Sequence, residues 1–595
     1  MDIRDYRELL DFATKALAAV TTEMRVETIE VPKEVDRLII YNLCLTTKDS
    51  NFCEEEYKEA IRNTLDVKNE LIEKIAAKKL IPQDALWEPQ SEDEYEEKLV
   101  EMRRKEFENV SAHALREIIM SGVKGVATFA FYAYRIGFED EGLNPFIQRV
   151  LQRTLKFNLS IGLLFNLSME LGGFGYRAMA LLEQAAQESY GVPKIANVEL
   201  SVRKNPAILV SGMNLKDLEN ILAQTEGEGV DVYTHGDMIS AHAYPGLASF
   251  DHFAGNWGTI EADQEKDFEN FPGPVVYTGS GLKAPLDSYK DRLFTTGFTK
   301  YPGVKAIDSK EAGDVDFSEV VAMAKKSPVP QSDRLGELLA GFAHDQLESM
   351  MELISGAVKD KSISRIIAIM GNDSNDDNDG EYFTNFVREM PLNSAIMTAG
   401  TVKYRFNYRS LGTVHGVPRI LDAGSVADAY SIASFVLKLQ SELELYELNK
   451  VPVSFLCTLN DEKSIIAFLS LIYIGARNIF VGPSIPAWLS PDVMEIFSKN
   501  FDVAVLEDPQ EDCEGIFSGR KIKGDGPIDP NMLIVDIIER HPQAADILMN
   551  CGMSCVTCGA ALYESLAEAC AVHGLDPEDV KDVLDHELGL VEDDD

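Results

Sequence analysis

Through the first 190 or so residues, apolar positions recur every three or four residues between charged ones. Tyr57, Ile61, Leu65 and Ile72 share such a face, and EDEYEEKLVEMRRKEFENV continues the rhythm, so the region is predicted helical. The stretch 157–190 is apolar enough for a buried helix pair, with a break expected at Gly172-Gly173. From about residue 205 the period changes. Short apolar runs such as AILVSG (207–212), VDVYTH (230–235) and PVVYTG (274–279) alternate with amphipathic segments such as LKDLENILAQ. A second series follows Pro328-Val329-Pro330: a helix near 342–359, then RIIAIM (365–370), SAIMTA (394–399), VPVSFL (451–456) and NIFVGP (478–483). Such alternation predicts parallel sheets covered by helices. The Gly- and Pro-containing segment 518–530 reads as a linker. The expected organisation is an α/β chain with a helical domain at 1–204, α/β domains at 205–340 and 341–517, and a small all-α domain at 531–595.

Composition narrows the function. At about 150 residues per domain, 595 residues allow roughly four domains, and 45% hydrophobic with 26% charged residues excludes a disordered or fibrous chain. Acidic residues outnumber basic ones 98 to 56, a formal net charge of −42. Such a surface repels phosphate backbones and anionic membranes, so nucleic acid is not an expected partner, whereas a basic protein or a small molecule is. The opening MDIRDYRELLDFATKAL has no apolar signal core, and no run of about 18 uncharged apolar residues occurs, so no membrane insertion is expected. The expected compartment is the cytoplasm, where eight cysteines serve as thiols, metal ligands or redox pairs rather than disulfide staples.

Half of those cysteines, Cys551, Cys555, Cys558 and Cys570, fall in the tail. Cys555 and Cys558 form a C-x-x-C pair close to a predicted helix start, where the macrodipole favours a thiolate. Three readings stand open: a reversible dithiol–disulfide pair, a zinc or iron–sulfur site from all four cysteines, or inert thiols. The C-x3-C-x2-C spacing also occurs in radical enzymes, but those require a barrel of strands after the motif and only helices follow. Elsewhere, Asn375, Asp377, Asp379 and Gly380 mimic a calcium loop, but its twelfth position is Phe386 rather than a bidentate acid, which favours a solvated acidic turn. The GGFG segment lacks the Lys-Ser/Thr ending of a phosphate loop. His235 and His242 flank Asp237 at a strand end, where hydrogen-bonded neutral imidazoles are commoner than metal ligands.

LVSGMNLKDLE (209–219), QTEGEGVDVYTHGDM (224–238), FENFPGPV (268–275), DSYKDRLFTTG (287–297), KYRFN (403–407), PRILDAG (418–424), DAYS (428–431) and VGPSIPAWLSP (481–491) resemble the hybrid-cluster proteins. That family is also called prismane proteins or hydroxylamine reductases and is related in fold to nickel carbon monoxide dehydrogenases. The resemblance runs over most of residues 1–510. It implies a helical N-terminal domain, two tandem Rossmann-like parallel-sheet domains, a cubane cluster near the N-terminus, a hybrid iron–sulfur–oxygen cluster between domains, and reduction of hydroxylamine or nitric oxide. HPQAADILMNCGMSCVTCGA and HGLDPEDV resemble a second, small family, the hybrid-cluster-protein-associated redox-disulfide domain, whose cysteine pair matches Cys555 and Cys558.

At the ligand positions this sequence departs from the family. The cluster histidine falls at Met213, its two glutamates at Asp237 and Asp461, and its four cysteines at Gly281, Asn372, Thr401 and Val426; the N-terminal cysteine cluster has no counterpart. Iron and bridging sulfide want thiolate donors, so no cofactor is expected at the hybrid-cluster position. Asp237, Asp461, Asn372 and Thr401, with Met213 beside them, remain as an oxygen-rich pocket for a hard divalent cation, against the plainer reading of a hydrogen-bonded polar pocket. The leading expectation is a cluster-less scaffold or redox-partner protein using Cys555 and Cys558, with Cys551 as a third thiol. The alternatives are an oxidoreductase of the hydroxylamine or nitric oxide reductase type with an altered metal centre, and a subunit of a larger redox complex with iron–sulfur or zinc at the tail cysteines. A redox partner protein is expected, and oligomerisation is left open.

Overall fold

In the computed structural model the described residues are 1–106, 110–156, 159–258, 261–374, 377–518, 528, 530, 532–534, 537–538, 541, 543–553 and 564–588. They form two compact units, Met1–Pro509 and Gln510–Asp595.

Seven helices open the first unit: α1 (Ile3–Val26), α2 (Lys33–Leu45), α3 (Glu54–Ile72), α4 (Asp93–Glu106), α5 (Val110–Ile136), α6 (Leu143–Thr154) and α7 (Ile161–Tyr190). α1 begins at Asp2, whose carboxylate accepts the Asp5 amide while Asp5 accepts the Asp2 amide, so two otherwise orphaned N–H groups are satisfied. Its stripe of Leu9, Leu10, Ala13, Leu17 and Val20 is buried and packs on α3 and α6. The expected face of α3 is likewise inward, with Tyr57, Ile61 and Leu65 buried and Ile72 partly so.

The break expected at Gly172-Gly173 does not occur; α7 is continuous. The glycines there serve packing. A Cβ on Gly172 would lie 2.3 Å from the carbonyl oxygen of Leu469, and one on Gly125 of α5 would lie 2.5 Å from that of Glu462. The helix Glu462–Tyr473 therefore approaches both α5 and α7 backbone to backbone, a distance any side chain would prevent.

Two six-stranded sheets follow. The strands are β1 (Ala196–Glu199), β2 (Ala207–Gly212), β3 (Asp231–His235), β4 (Phe253–Asn256), β5 (Val275–Thr278), β6 (Leu293–Thr296), β7 (Lys305–Ile307), β8 (Glu337–Ala340), β9 (Arg365–Met370), β10 (Ser394–Ala399), β11 (Thr413–Val414), β12 (Val417–Pro418), β13 (Ile420–Gly424), β14 (Val453–Cys457), β15 (Ile479–Val481) and β16 (Val503–Val505). One sheet has the order β4-β3-β2-β5-β6-β7 and the other β13-β10-β9-β14-β15-β16. All pairings within both are parallel. β3, β5, β10 and β14 are buried at every position, as strands covered on both faces must be. The 1–204 region is not wholly helical: β1 lies in it and pairs antiparallel with β8, Ala196 opposite Ala340.

Two further expectations change. In place of one helix near 342–359 there are two, His344–Ser349 and Met351–Lys359, because Met350 leaves helical geometry at φ −93°, ψ 1°. The acidic segment 372–383 is not a turn throughout, since a helix, Asp377–Glu389, starts within it and is anchored by the buried rings of Phe383 and Phe386. Asn375 and the side chains of Asp377, Asp379 and neighbouring residues lie outside the described set.

In the second unit, helices Ala544–Asn550, Leu566–His573 and Pro577–Glu587 surround a core of Ile534, Leu548, Met553, Leu566, Cys570 and Leu584. Ile528, at the end of the expected linker, is buried in this core and donates its N–H to Asp585 at 2.5 Å. Cys555 and Cys558 lie outside the described residues, as does most of 518–530. Among the described residues no helix is long and apolar enough to cross a membrane.

Candidate functional site

Each sheet reverses its strand order beside its first strand, between β2 and β5 in one and between β9 and β14 in the other. Open α/β sheets bind ligands beyond the carboxyl ends of strands at such points. All seven positions singled out in the sequence follow strand carboxyl ends, and Met213, Gly281, Asn372 and Asp461 do so at the two reversals. Met213, Asp237 and Gly281 follow β2, β3 and β5; Asn372, Thr401, Val426 and Asp461 follow β9, β10, β13 and β14. The two carboxyl edges meet. Lys463, after β14, reaches Ser280 Oγ after β5 at 3.2 Å. Tyr404 Oη donates to the Gly236 carbonyl at 2.9 Å.

At the centre is a closed polar knot. Asn372 Nδ2 donates to Asp461 Oδ2 at 2.7 Å, and Asn372 Oδ1 accepts from the amide of Thr401 at 3.3 Å and its hydroxyl at 3.4 Å. The other oxygen of Asp461 accepts the Ser464 amide at 2.8 Å, so Asp461 caps the helix Glu462–Tyr473. Lys463 Nζ lies 3.3 Å from Asp461 Oδ2. Burial raises the Asp461 carboxyl, but Lys463 and the bonds from Ser464 and Asn372 outweigh it and hold the group below its ordinary value. Asp461, Asn372 and Thr401 are thus spent on one another. Gly281 and Val426 offer no side-chain donor and Met213 offers a thioether. No thiol is present among the seven, and this donor set does not suit an iron–sulfur cluster.

Asp237 has a different environment. Its Oδ1 is buried with no hydrogen-bond partner, and burial pushes its carboxyl up to about 6 against the pull of Lys403 and Lys463. Two acids that the sequence pattern did not single out lie nearby. Burial raises Asp428 to about 7 and Glu183 to about 8. With Asp237 they line one small cavity of about 30 Å³. Lys403 is buried and committed to Asp422 Oδ1 at 2.8 Å and the Gly424 carbonyl at 2.6 Å. Lys403 and Asp422 lie inside KYRFN and PRILDAG, so their segments were visible in the sequence while their pairing was not; Glu183 sits on α7 with no local signal at all.

The two histidines serve separate local bonds. His235 Nδ1 meets Ser211 Oγ at 2.9 Å, while His242 Nε2 lies 3.1 Å from Thr234 Oγ1 and 3.2 Å from the Gly255 carbonyl, its ring stacked on Phe253. Burial holds His242 down near 3, so it is neutral. In the tail unit Cys551 is half-buried and Cys570 fully buried, with Cys570 Sγ 3.9 Å from Met553 Sδ. Burial raises both thiols, which disfavours the thiolate there.

Residues 1–514 match the Prismane/CO dehydrogenase family, more than four-fifths of the chain. The chain belongs to that family. Residues 528–581 match a domain of unknown function, DUF1858. The hydroxylamine reductase of Desulfitobacterium hafniense (strain Y51) is 38% identical, covering 87% of this chain and 95% of that protein. Hydroxylamine reductase 2 of Clostridium acetobutylicum is 37% identical over 86% and 94%, and the hydroxylamine reductase of Desulfovibrio desulfuricans 37% over 86% and 94%. Among solved structures, carbon monoxide dehydrogenase from Thermococcus sp. AM4 superposes with TM-score 0.53 at 15% identity, covering 86% of this chain and 84% of that one. Carbon monoxide dehydrogenase IV from Carboxydothermus hydrogenoformans does so with TM-score 0.52 at 16% identity, covering 87% of each. These two bear on the fold alone.

Proposed function

We propose that this Prismane-family chain does not assemble an iron–sulfur cluster at its inter-sheet pocket and works as a scaffold or redox-partner protein through the Cys555–Cys558 dithiol. The observation that carries the reading is the closed Asn372–Asp461–Thr401 knot, lying where resemblance to the hybrid-cluster proteins puts two cluster cysteines and a glutamate. In the thiol chemistry, one thiolate of the pair attacks a partner protein's disulfide to form a mixed disulfide. The second thiolate then displaces the partner's thiol, leaving the pair oxidised and the partner reduced. Burial raises the Cys551 and Cys570 thiols and disfavours their thiolates, which supports Cys555 and Cys558 as the pair, with half-buried Cys551 as a third thiol. The test is metal and acid-labile sulfide per chain after anaerobic purification, together with a redox titration of the thiols. The expected result is no iron or sulfide and one two-electron couple that disappears in Cys555→Ser. Several irons with matching sulfide would overturn the cluster-less reading.

A second reading, a hydroxylamine-reducing oxidoreductase, draws support from the names of relatives that this chain covers almost end to end. It requires a metal centre other than the family's, because the pocket residues supply no thiolate. Turnover of hydroxylamine with a reduced viologen donor by the purified chain would favour it over the first. A third arrangement, a subunit of a redox complex with zinc or iron–sulfur at Cys551, Cys555, Cys558 and Cys570, is read by the same metal analysis: metal retained by wild type and lost in Cys570→Ser.

A further inference from the structure

The cavity shared by α7, the turn after β3 and the turn after β13 is lined by three buried acids and no basic side chain. Its volume, about 30 Å³, is that of one water molecule or one ion. Glu183 comes from α7, Asp237 and Ser240 from the turn after β3, and Asp428 from the turn after β13. Glu183 Oε1 accepts from Gln187 at 2.9 Å and Ser431 at 3.4 Å, while its Oε2 is buried without a hydrogen-bond partner, as is Asp237 Oδ1. Glu183 and Asp237 are each more than nine-tenths buried. Asp428 accepts the amide and hydroxyl of Ser425 at 2.7 and 2.9 Å. No basic residue lines the cavity, and the nearby Lys403 is spent on Asp422. Lys403 and Lys463 act on Asp237 from outside the cavity, yet Glu183 Oε2 and Asp237 Oδ1 have no donor, and with the acids ionised such oxygens are costly to bury, which favours a cation in the cavity.

Spacing excludes the small divalent cations. Calcium binds oxygens at about 2.3–2.6 Å and magnesium at about 2.0–2.1 Å, which requires ligand oxygens within about 5 Å of one another. Among the described residues the only three-residue set of His, Cys, Asp and Glu with ligand atoms within 4.8 Å of one another is His344, Asp345 and Glu348, so Glu183, Asp237 and Asp428 do not form one. A hydrated magnesium ion would not fit in the cavity. Ammonium donates to carboxylates at about 2.8 Å and so tolerates oxygens up to roughly 5.6 Å apart, and potassium has nearly the same radius. We propose that Glu183, Asp237 and Asp428, with the Ser240 hydroxyl, form a binding site for one monovalent cation of ammonium or potassium size. The site is independent of the dithiol chemistry, and its readout is ion occupancy rather than turnover.

Equilibrium dialysis of the full chain against rubidium chloride at pH 8, with lithium chloride holding ionic strength, measures the site directly. One rubidium per chain is expected, displaced by potassium and ammonium salts but not by lithium or magnesium. Displacement by ammonium alone or by potassium alone assigns the natural ion, and both support the site. The thermal midpoint should rise by about 2–3 °C when rubidium is near 100 times its dissociation constant. Glu183→Gln should fold, because the amide keeps an acceptor oxygen for Gln187 and Ser431 while removing a buried acid, and should lose rubidium binding and the midpoint shift together; Asp428→Asn provides a second, separate loss. Absence of rubidium binding, binding that survives Glu183→Gln, or displacement by magnesium at equal concentration would overturn the proposal.

Discussion

Replacing Gly172 by alanine tests the packing of α7 against the helix Glu462–Tyr473 with one methyl group. In a solvent-exposed helix interior the change stabilises by about 1 kcal/mol, because glycine loses more backbone freedom on folding. Here the new Cβ would sit 2.3 Å from the Leu469 carbonyl oxygen and 3.1 Å from Tyr473 Cβ. The first contact is with backbone, so no rotamer change relieves it and the two helices must move apart by roughly 1 Å. Overpacking of this kind costs about 1–3 kcal/mol, at the upper end when backbone must shift, and the propensity gain leaves a net loss of roughly 2 kcal/mol. Gly162 lies in the first turn of the same helix with nothing within 4 Å of its Cβ position, so Gly162→Ala should instead stabilise by about 0.5 kcal/mol. At about 2.1 cal/mol/K per residue, the Met1–Pro509 unit shifts its midpoint by roughly 1 °C per kcal/mol, so the two variants should differ by about 2–3 °C in opposite directions from wild type. Scanning calorimetry of the two variants beside wild type reads this. A Gly172→Ala midpoint equal to or above wild type would refute the close backbone approach as the reason for glycine.

Lys403→Met strands the buried Asp422 carboxylate and should destabilise by about 3–5 kcal/mol in denaturant titration, whereas Lys403→Met combined with Asp422→Asn should recover most of that loss; equal loss in both would contradict the pairing. His242 is held near 3 in the fold against about 6.5 in the unfolded chain, so its contribution is full above 6.5 and falls as pH drops from there toward 3. Between pH 7.5 and 5 the wild type should lose roughly 2 kcal/mol more than His242→Gln, measured by denaturant midpoints, and parallel pH profiles would remove histidine desolvation as the cause. Cys44 and Cys457 are buried, with Cys457 pushed up to about 12 and Cys44 further, so neither should be alkylated by iodoacetamide at pH 8 in the native protein while both react after unfolding. Peptide mapping of the labelled chain would expose native-state reaction at either position.

The amino-acid pattern alone determined the local elements and their alternation. AILVSG, VDVYTH, RIIAIM and SAIMTA are strands within a residue of their expected bounds, because a fully buried parallel strand is a short apolar run that needs no information from elsewhere. The helical stripe of Tyr57, Ile61 and Leu65 was legible for the same reason: its period is a property of one helix. Gly172-Gly173 misled because glycine in a helical sequence carries two meanings, a break or a close approach, and only the Leu469 carbonyl on a partner helix nearly 300 residues away selects between them. The acidic run before Tyr382 misled similarly, since Phe383 and Phe386 find their buried surroundings only in the folded second sheet domain. The site followed the same division. Motif positions placed Met213, Asp237, Asn372, Thr401 and Asp461 at strand ends, but not the bonds among them. Glu183 and Asp428 acquire their chemistry from burial beside Asp237, and charge in a protein interior depends on neighbours drawn from α7 and two different strand ends. Spacing along a chain sets periodicity; the dielectric around a carboxylate and the distance between two backbones exist only once the helices and sheets have packed.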